Sequence, residues 1–189
     1  MVENQRNLLI ICGVSGSGKS TLEANLIKDH PECFNKWMQM STRKMREGEF
    51  QGSPYVFVSD NTFEKMKANL VGRIGLSTDS IYNKDKYGSI PDFVNGKVST
   101  VILATEGLND ILESIKSGHL EVDNYFILGL DVDYSDLKDN DFLREGRDKS
   151  FIEKEKEVLK YANNIFKLTN GRYLEPTTVV ALLKNYKML

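Results

Sequence analysis

Apolar residues along this chain fall into two spacings that alternate. Apolar runs at Leu8-Leu9-Ile10-Ile11-Cys12, Tyr55-Val56-Phe57-Val58 and Tyr125 to Leu130 predict strands, as do the β-branched and apolar stretches Val98 to Leu103 and Asn164 to Thr169. Phe34 to Met40 has the aromatic and apolar character of one more. Between these runs, apolar residues recur at helical spacing: Leu22, Leu26 and Ile27; Phe63, Met66 and Leu70; Leu108, Ile111, Leu112 and Ile115. The first helix is predicted from about Ser20 to Lys28, ending before Pro31. The second is capped by Ser59 or Asp60, with Glu64 in its first turn. Glu106 to Lys116 forms a third, stopped by Gly118. Ile152 to Tyr161 is helical with a solvated Glu/Lys face. After the turn signal Asn170-Gly171, Pro176 opens a last helix running to Leu183. Val71 to Gly88 mixes β-branched and polar residues around Asp79, Tyr82, Asp85 and Tyr87 and predicts a pair of strands.

Strands alternating with helices imply an α/β fold, with right-handed crossovers and a parallel sheet covered on both faces. Two excursions interrupt the alternation, a long one at about 33–96 and a short, charged one at about 136–150. A single domain is predicted, with its core at about 1–32, 97–135 and 151–189 and both excursions as lobes or lids. Ligands of such sheets gather at the carboxyl ends of the strands.

The chemistry begins at one of those ends. Gly13-Val14-Ser15-Gly16-Ser17-Gly18-Lys19-Ser20, followed by Thr21, stands between the first strand and the first helix, the context a P-loop requires. Its glycines let the backbone turn tightly and bring N–H groups onto phosphate oxygens. The helix N-terminus adds unpaired donors and partial positive charge. Lys19 reaches the β/γ-phosphates as a point charge, and the Ser20 hydroxyl is a ligand for Mg²⁺. A nucleoside triphosphate is the expected occupant.

Composition adds few constraints. Hydrophobic residues at 40% and charged residues at 28% belong to an ordinary globular protein. The net charge of −2 lacks the overall basic signature of a nucleic-acid binder, and the apolar runs are strand-sized, so neither nucleic acid nor membrane is an expected partner. Met1 to Asn7 is polar, unlike a signal peptide, and Cys12 and Cys33 show no metal or CxxC spacing. Free thiols and a cytoplasmic location are expected. His30 and His119 carry no ligand pattern. Oligomeric state is not encoded in any pattern found.

Downstream of the P-loop, the segment Ser41 to Phe57 resembles the guanylate kinase pattern T-T-R-x-P-R-x-G-E-x-x-G-x-x-Y-x-F. The matching positions are Thr42, Arg43, Arg46, Gly48, Glu49, Gly52, Tyr55 and Phe57, with Tyr87-Gly88-Ser89 further on. A basic cluster such as Arg43-Lys44-Arg46 is by itself most simply a solvated loop; the spacing beside a P-loop is what gives it meaning. The resemblance implies a P-loop nucleoside-monophosphate kinase with an inserted NMP-binding lobe and a short lid. It implies that Arg43, Arg46, Tyr55 and Tyr87 hold the acceptor's phosphate, supported by Glu49, and that Ser89 and Glu106 face the acceptor nucleotide. Arginine forks suit phosphate oxygens, and tyrosine hydroxyls add a neutral donor. Arg144 and Arg147, in the second excursion, would be the lid arginines over the transferring phosphoryl group, completing with Lys19 and Arg43 the catalytic set.

The chain departs from that family at three places. Gln39 stands where a Ser usually precedes the first clamp arginine by four residues. Ala104-Thr105-Glu106 replaces an Asp-x-Asp, so the first carboxylate is missing and the second lengthened. Thr78 stands at the position of the guanine-reading Glu, leaving Asp79 or Asp85 as substitutes. The expected activity is phosphorylation of GMP or dGMP by Mg·ATP. Phosphorylation of another nucleotide or of a sugar phosphate, and an inactive binding module, are the alternatives.

Overall fold

The computed structural model describes residues 5–52, 55–76, 85–139, 148–169 and 172–189. Its backbone divides into two compact units: residues 1–36, 93–104 and 122–189, and residues 37–92 with 105–121.

The first unit is built on a five-stranded parallel sheet. Its strands are β1 (Asn7–Gly13), β2 (Phe34–Lys36), β7 (Val98–Ile102), β8 (Asn124–Val132) and β9 (Asn164–Leu168), in the order β2-β7-β1-β8-β9. Leu8, Leu9, Ile10 and Ile11 of the central strand are all fully buried, so both faces of β1 are covered. Each such aliphatic contributes about 1.5–3 kcal/mol of burial. Leu9 and Ile11 pack with Leu22 and Leu26 of α1 (Lys19–Asp29) and with Val179 and Leu183 of α6 (Pro176–Asn185). At Gly129 of β8 an added Cβ would stand 2.9 Å from Leu159, so a larger residue there would push apart the turn at Glu157–Tyr161. The short helix α4 (Tyr134–Asp139) follows β8, and α5 (Lys149–Lys156) starts at Asp148, whose Oδ1 accepts from Phe151 N–H at 2.7 Å.

The second unit holds a four-stranded sheet in the order β4-β3-β6-β5, from β3 (Met38–Ser41), β4 (Val56–Phe57), β5 (Val71–Ile74) and β6 (Tyr87–Ile90). β3 runs parallel to β4 and antiparallel to β6, and β5 is antiparallel to β6. Ser59 caps α2 (Asp60–Met66), its Oγ accepting from Thr62 N–H, and Phe63 buries with Met40 and Leu70. The helix α3 (Thr105–Lys116) also groups with this unit although its neighbours in sequence are strands of the first. It is fastened to β5 by Asp110, whose carboxylate takes hydrogen bonds from Arg73 Nε, Nη2 and N–H at 2.6–3.1 Å.

One sequence expectation fails in an informative way. Phe34 to Met40 is two strands in two different sheets, interrupted at Trp37. The indole is fully buried, so the residue that looks most strand-like is the one at which the chain leaves one sheet for the other. The strand pair expected between Val71 and Gly88 is β5 with β6; Thr78, Asp79 and Tyr82 lie outside the described residues, as does Asn170-Gly171.

Candidate active site

In the first unit, Gly13 to Ser20 lies at the carboxyl end of β1. Gly13 has φ +140°, and a Cβ there would sit 2.1 Å from the Leu130 carbonyl oxygen of the adjacent strand. Gly16 and Gly18 have φ of +88° and +85°, in the left-handed region that glycine adopts without strain. Ser17 N–H donates to Val14 O at 3.2 Å, and Ser15 N–H donates to the Glu155 carboxylate at 2.6 Å. The N–H groups of Gly16 and Gly18 make no hydrogen bond among the described residues. The Ser17 Oγ is buried and likewise unpartnered. Such groups are costly to bury unsatisfied; oxyanions at the loop would satisfy them. Lys19 Nζ donates to Gly13 O at 2.9 Å and Val14 O at 2.7 Å, placing its charge over the loop.

Ser20 and Thr21 are exposed on the first turn of α1. Among the described residues no three His, Cys, Asp or Glu side chains gather as a metal site. The nearby acid Glu23 is buried and engaged, accepting from Thr100 Oγ1 at 3.0 Å and pairing with Lys36 Nζ at 2.8 Å. A hydroxyl with few carboxylates fits Mg²⁺, which keeps waters and takes substrate phosphates as ligands. It would not fit an ion that demands a protein cage.

Three residues beside the loop, Glu155, Arg172 and Tyr173, were not singled out from sequence. Arg172 and Tyr173 line a concavity with Gly16, Ser17, Asp136 and Val132, and the Tyr173 ring stands 2.9 Å from where a Gly18 Cβ would be. No spacing rule identifies them; only the fold brings them to the P-loop.

In the second unit, Arg43 and Glu49 form a two-pronged ion pair, with Arg43 Nη1 at 2.7 Å from Oε2 and Nη2 at 2.6 Å from Oε1. The Arg43 guanidinium also donates to Lys44 O at 2.9 Å and lies 5.2 Å from the Tyr55 ring centroid and 5.0 Å from that of Phe57. Of its five donors, Nε–H and one Nη2–H have no partner among the described residues. Glu49 Oε2 also accepts from Arg46 N–H at 2.8 Å, so one carboxylate fixes both the side chain of Arg43 and the backbone at Arg46. Hydrogen bonds from Arg43 pull the Glu49 carboxyl down to about 2. The Arg46 guanidinium is exposed. Tyr87 sits edge-on to Tyr55 with centroids 5.7 Å apart, and burial raises its phenol above the usual value.

Ser89 and Gln39 face each other across β3 and β6, both buried, with Gln39 Nε2 donating to Ser89 Oγ at 3.3 Å. Register puts Ser41 and Tyr87 two residues along the same face. Glu106, in the first turn of α3, accepts from Gly75 N–H at 3.1 Å and so has a local structural partner. The structure thus brings Arg43, Arg46, Glu49, Tyr55 and Tyr87 together, and Gln39 with Ser89. Arg144 and Arg147 lie outside the described residues.

Known proteins resemble this chain in sequence and in fold. The family model described as Guanylate kinase matches residues 5–128. A guanylate kinase of Latilactobacillus sakei subsp. sakei is 29% identical over 91% of this chain and 81% of its own. One of Mycoplasmopsis pulmonis is 27% identical over 88% of each. A Streptomyces kasugaensis relative reaches 47%, but over 64 residues, about a third of either chain. In fold, the chain is similar to the crystal structure of guanylate kinase from Anaplasma phagocytophilum, with a TM-score of 0.61 and 11% identity over 97% of this chain and 85% of that one. The chain therefore belongs to the guanylate kinase family.

Proposed function

We propose that this chain transfers the γ-phosphoryl group of ATP to GMP or dGMP, giving the nucleoside diphosphate and ADP. The observation that carries this reading is that one chain holds two separate phosphate-recognising constellations. One is a glycine-rich loop with a lysine over it; the other is an arginine–carboxylate–tyrosine cluster. A donor and an acceptor that both present phosphate require two such sites.

Phosphoryl transfer needs alignment and charge neutralisation more than covalent participation. The N–H groups of Gly16 and Gly18 and the Ser17 hydroxyl would take donor phosphate oxygens, and Lys19 would exchange its two carbonyl acceptors for the β/γ-phosphates. Mg²⁺, held by Ser20 and the phosphates, supplies further charge neutralisation when bound. Arg43 and Arg46 would fix the acceptor's phosphate, with Tyr55 and Tyr87 at its side, and Gln39 with Ser89 would face its base. Arg144 and Arg147 are assigned the lid role that the family implies. The two free thiols, Cys12 and Cys33, support a reducing, cytoplasmic setting; burial pushes the Cys12 thiol up to about 12, so it stays protonated.

The test is ADP release from Mg·ATP with GMP, dGMP, AMP, dAMP, UMP, dTMP, CMP and dCMP in turn. Turnover with GMP and dGMP, exceeding the other acceptors at least tenfold in kcat/KM, is expected. No turnover with any of the eight would overturn the reading.

A further inference from the structure

The P-loop is held by a buried acid to which the reaction above gives no role. Glu155, at the C-terminal end of α5, is 9% exposed, and its Oε2 accepts the 2.6 Å hydrogen bond from Ser15 N–H, itself 8% exposed. A carboxylate beside an anion site is electrostatically unfavourable for binding a triphosphate. Its presence calls for a compensating role.

The hydrogen bonds of the loop alternate. Ser15 N–H goes to Glu155 and Ser17 N–H to Val14 O, whereas Gly16 and Gly18 keep their N–H groups unengaged among the described residues. Pinning every second amide to the protein decides which amides remain for the ligand. The acceptor for Ser17 comes from within the loop, but the acceptor for Ser15 comes from a helix 140 residues away in sequence. That helix end is itself anchored. Lys156 Nζ lies 3.1 Å from Asp131 Oδ1 and 3.2 Å from Asp133 Oδ1, at the end of β8 beside β1.

We propose that Glu155 is a positioning residue for the donor site: by fixing the Ser15 amide it holds the P-loop in the shape that presents Gly16 and Gly18 to the phosphates of ATP. The proposal rests on reading the loop as the ATP site. A carboxylate is the strongest single acceptor available for this purpose, because charge-assisted hydrogen bonds are about twice as strong as neutral ones.

The experiment is titration calorimetry of Mg·ATP onto wild type, Glu155→Leu and Glu155→Gln, with KM for ATP and GMP measured alongside. Leucine keeps the volume but offers no acceptor; glutamine keeps an oxygen but not the charge. Glu155→Leu is expected to weaken ATP binding about tenfold or more, leaving KM for GMP within about twofold. Glu155→Gln is expected to bind ATP within about threefold of wild type. Wild-type ATP affinity in Glu155→Leu overturns the proposal, as does a glutamine variant impaired as severely as the leucine one. Should Glu155→Leu fail to fold, Glu155→Asp replaces it; drawing the acceptor back by one methylene is expected to weaken ATP several-fold, and unchanged affinity overturns the proposal. ATP binding is read without any acceptor, so failure to phosphorylate GMP leaves this test intact. Failure of wild type to bind ATP would instead remove the donor-site reading beneath it.

Discussion

Replacing Glu49 by alanine removes both oxygens that hold the Arg43 fork and the acceptor of Arg46 N–H. The Arg43 side chain is 6% exposed and that of Glu49 16%, so the guanidinium would be left buried with Lys44 O as its one acceptor among the described residues. Breaking a buried pair by deleting one partner costs about 3–5 kcal/mol; the partial exposure of Glu49 places this case near about 3 kcal/mol. For a chain of this size each kcal/mol shifts Tm by about 2–4 °C, giving a fall of about 6–12 °C. KM for GMP should rise with it, because the two remaining Arg43 donors lose their orientation. The pH dependence has a definite sign. The folded-state carboxyl lies at about 2, below its ordinary 4.5, so the pair contributes fully above about pH 4.5. That contribution is lost as pH falls toward about 2. The stability gap between wild type and Glu49→Gln, measured by urea unfolding from pH 7 to 2.5, should therefore be flat above about 4.5 and narrow below it. A Glu49→Ala protein melting within 1 °C of wild type, or a gap that does not narrow in acid, would refute the reasoning.

Lys19→Met should leave Tm within about 2 °C, since the side chain is only half-buried, and reduce kcat by about 10²–10³ in the ADP-release assay. Gly13→Ala places a methyl group 2.1 Å from the Leu130 carbonyl oxygen at a φ of +140°; it should yield insoluble or unfolded protein by near-ultraviolet circular dichroism. Arg46→Ala, at an exposed guanidinium, should raise KM for GMP about tenfold with little change in melting. Gln39→Met keeps the volume of the buried amide but not its donor to Ser89; KM for GMP should rise several-fold while KM for ATP does not move.

Much of this architecture was legible because local rules and tertiary structure agree. The run at Leu8–Cys12 is buried on both faces, and the glycine spacing that follows it requires the positive φ values found at Gly13, Gly16 and Gly18. The pairing of Arg43 with Glu49 was likewise within reach, because a short loop closes the distance between them. What escaped has a common cause. Trp37 reads as the middle of a strand, since period-2 reasoning is blind to a chain that changes sheets. Glu155, Arg172 and Tyr173 lie far from the loop in sequence, and only the parallel sheet's crossovers deliver them to it. Gln39 looked like a loss of the expected serine; its partner Ser89 becomes visible only with the strand register.

The central strand β1 carries a further consequence, for biosynthesis. Its two neighbours are β7 and β8, and Asn7 meets Asn124 across 117 residues of sequence. A ribosome must therefore synthesise the chain as far as β8, which ends at Val132, before the strand leading into the phosphate loop is flanked on both sides. Until then Leu8 to Ile11 is an aliphatic edge able to pair with other chains. Contacts of such long sequence separation slow folding, because loop closure precedes any gain from burial. Yield of active protein should therefore depend on translation rate and on chaperones that shield nascent strands.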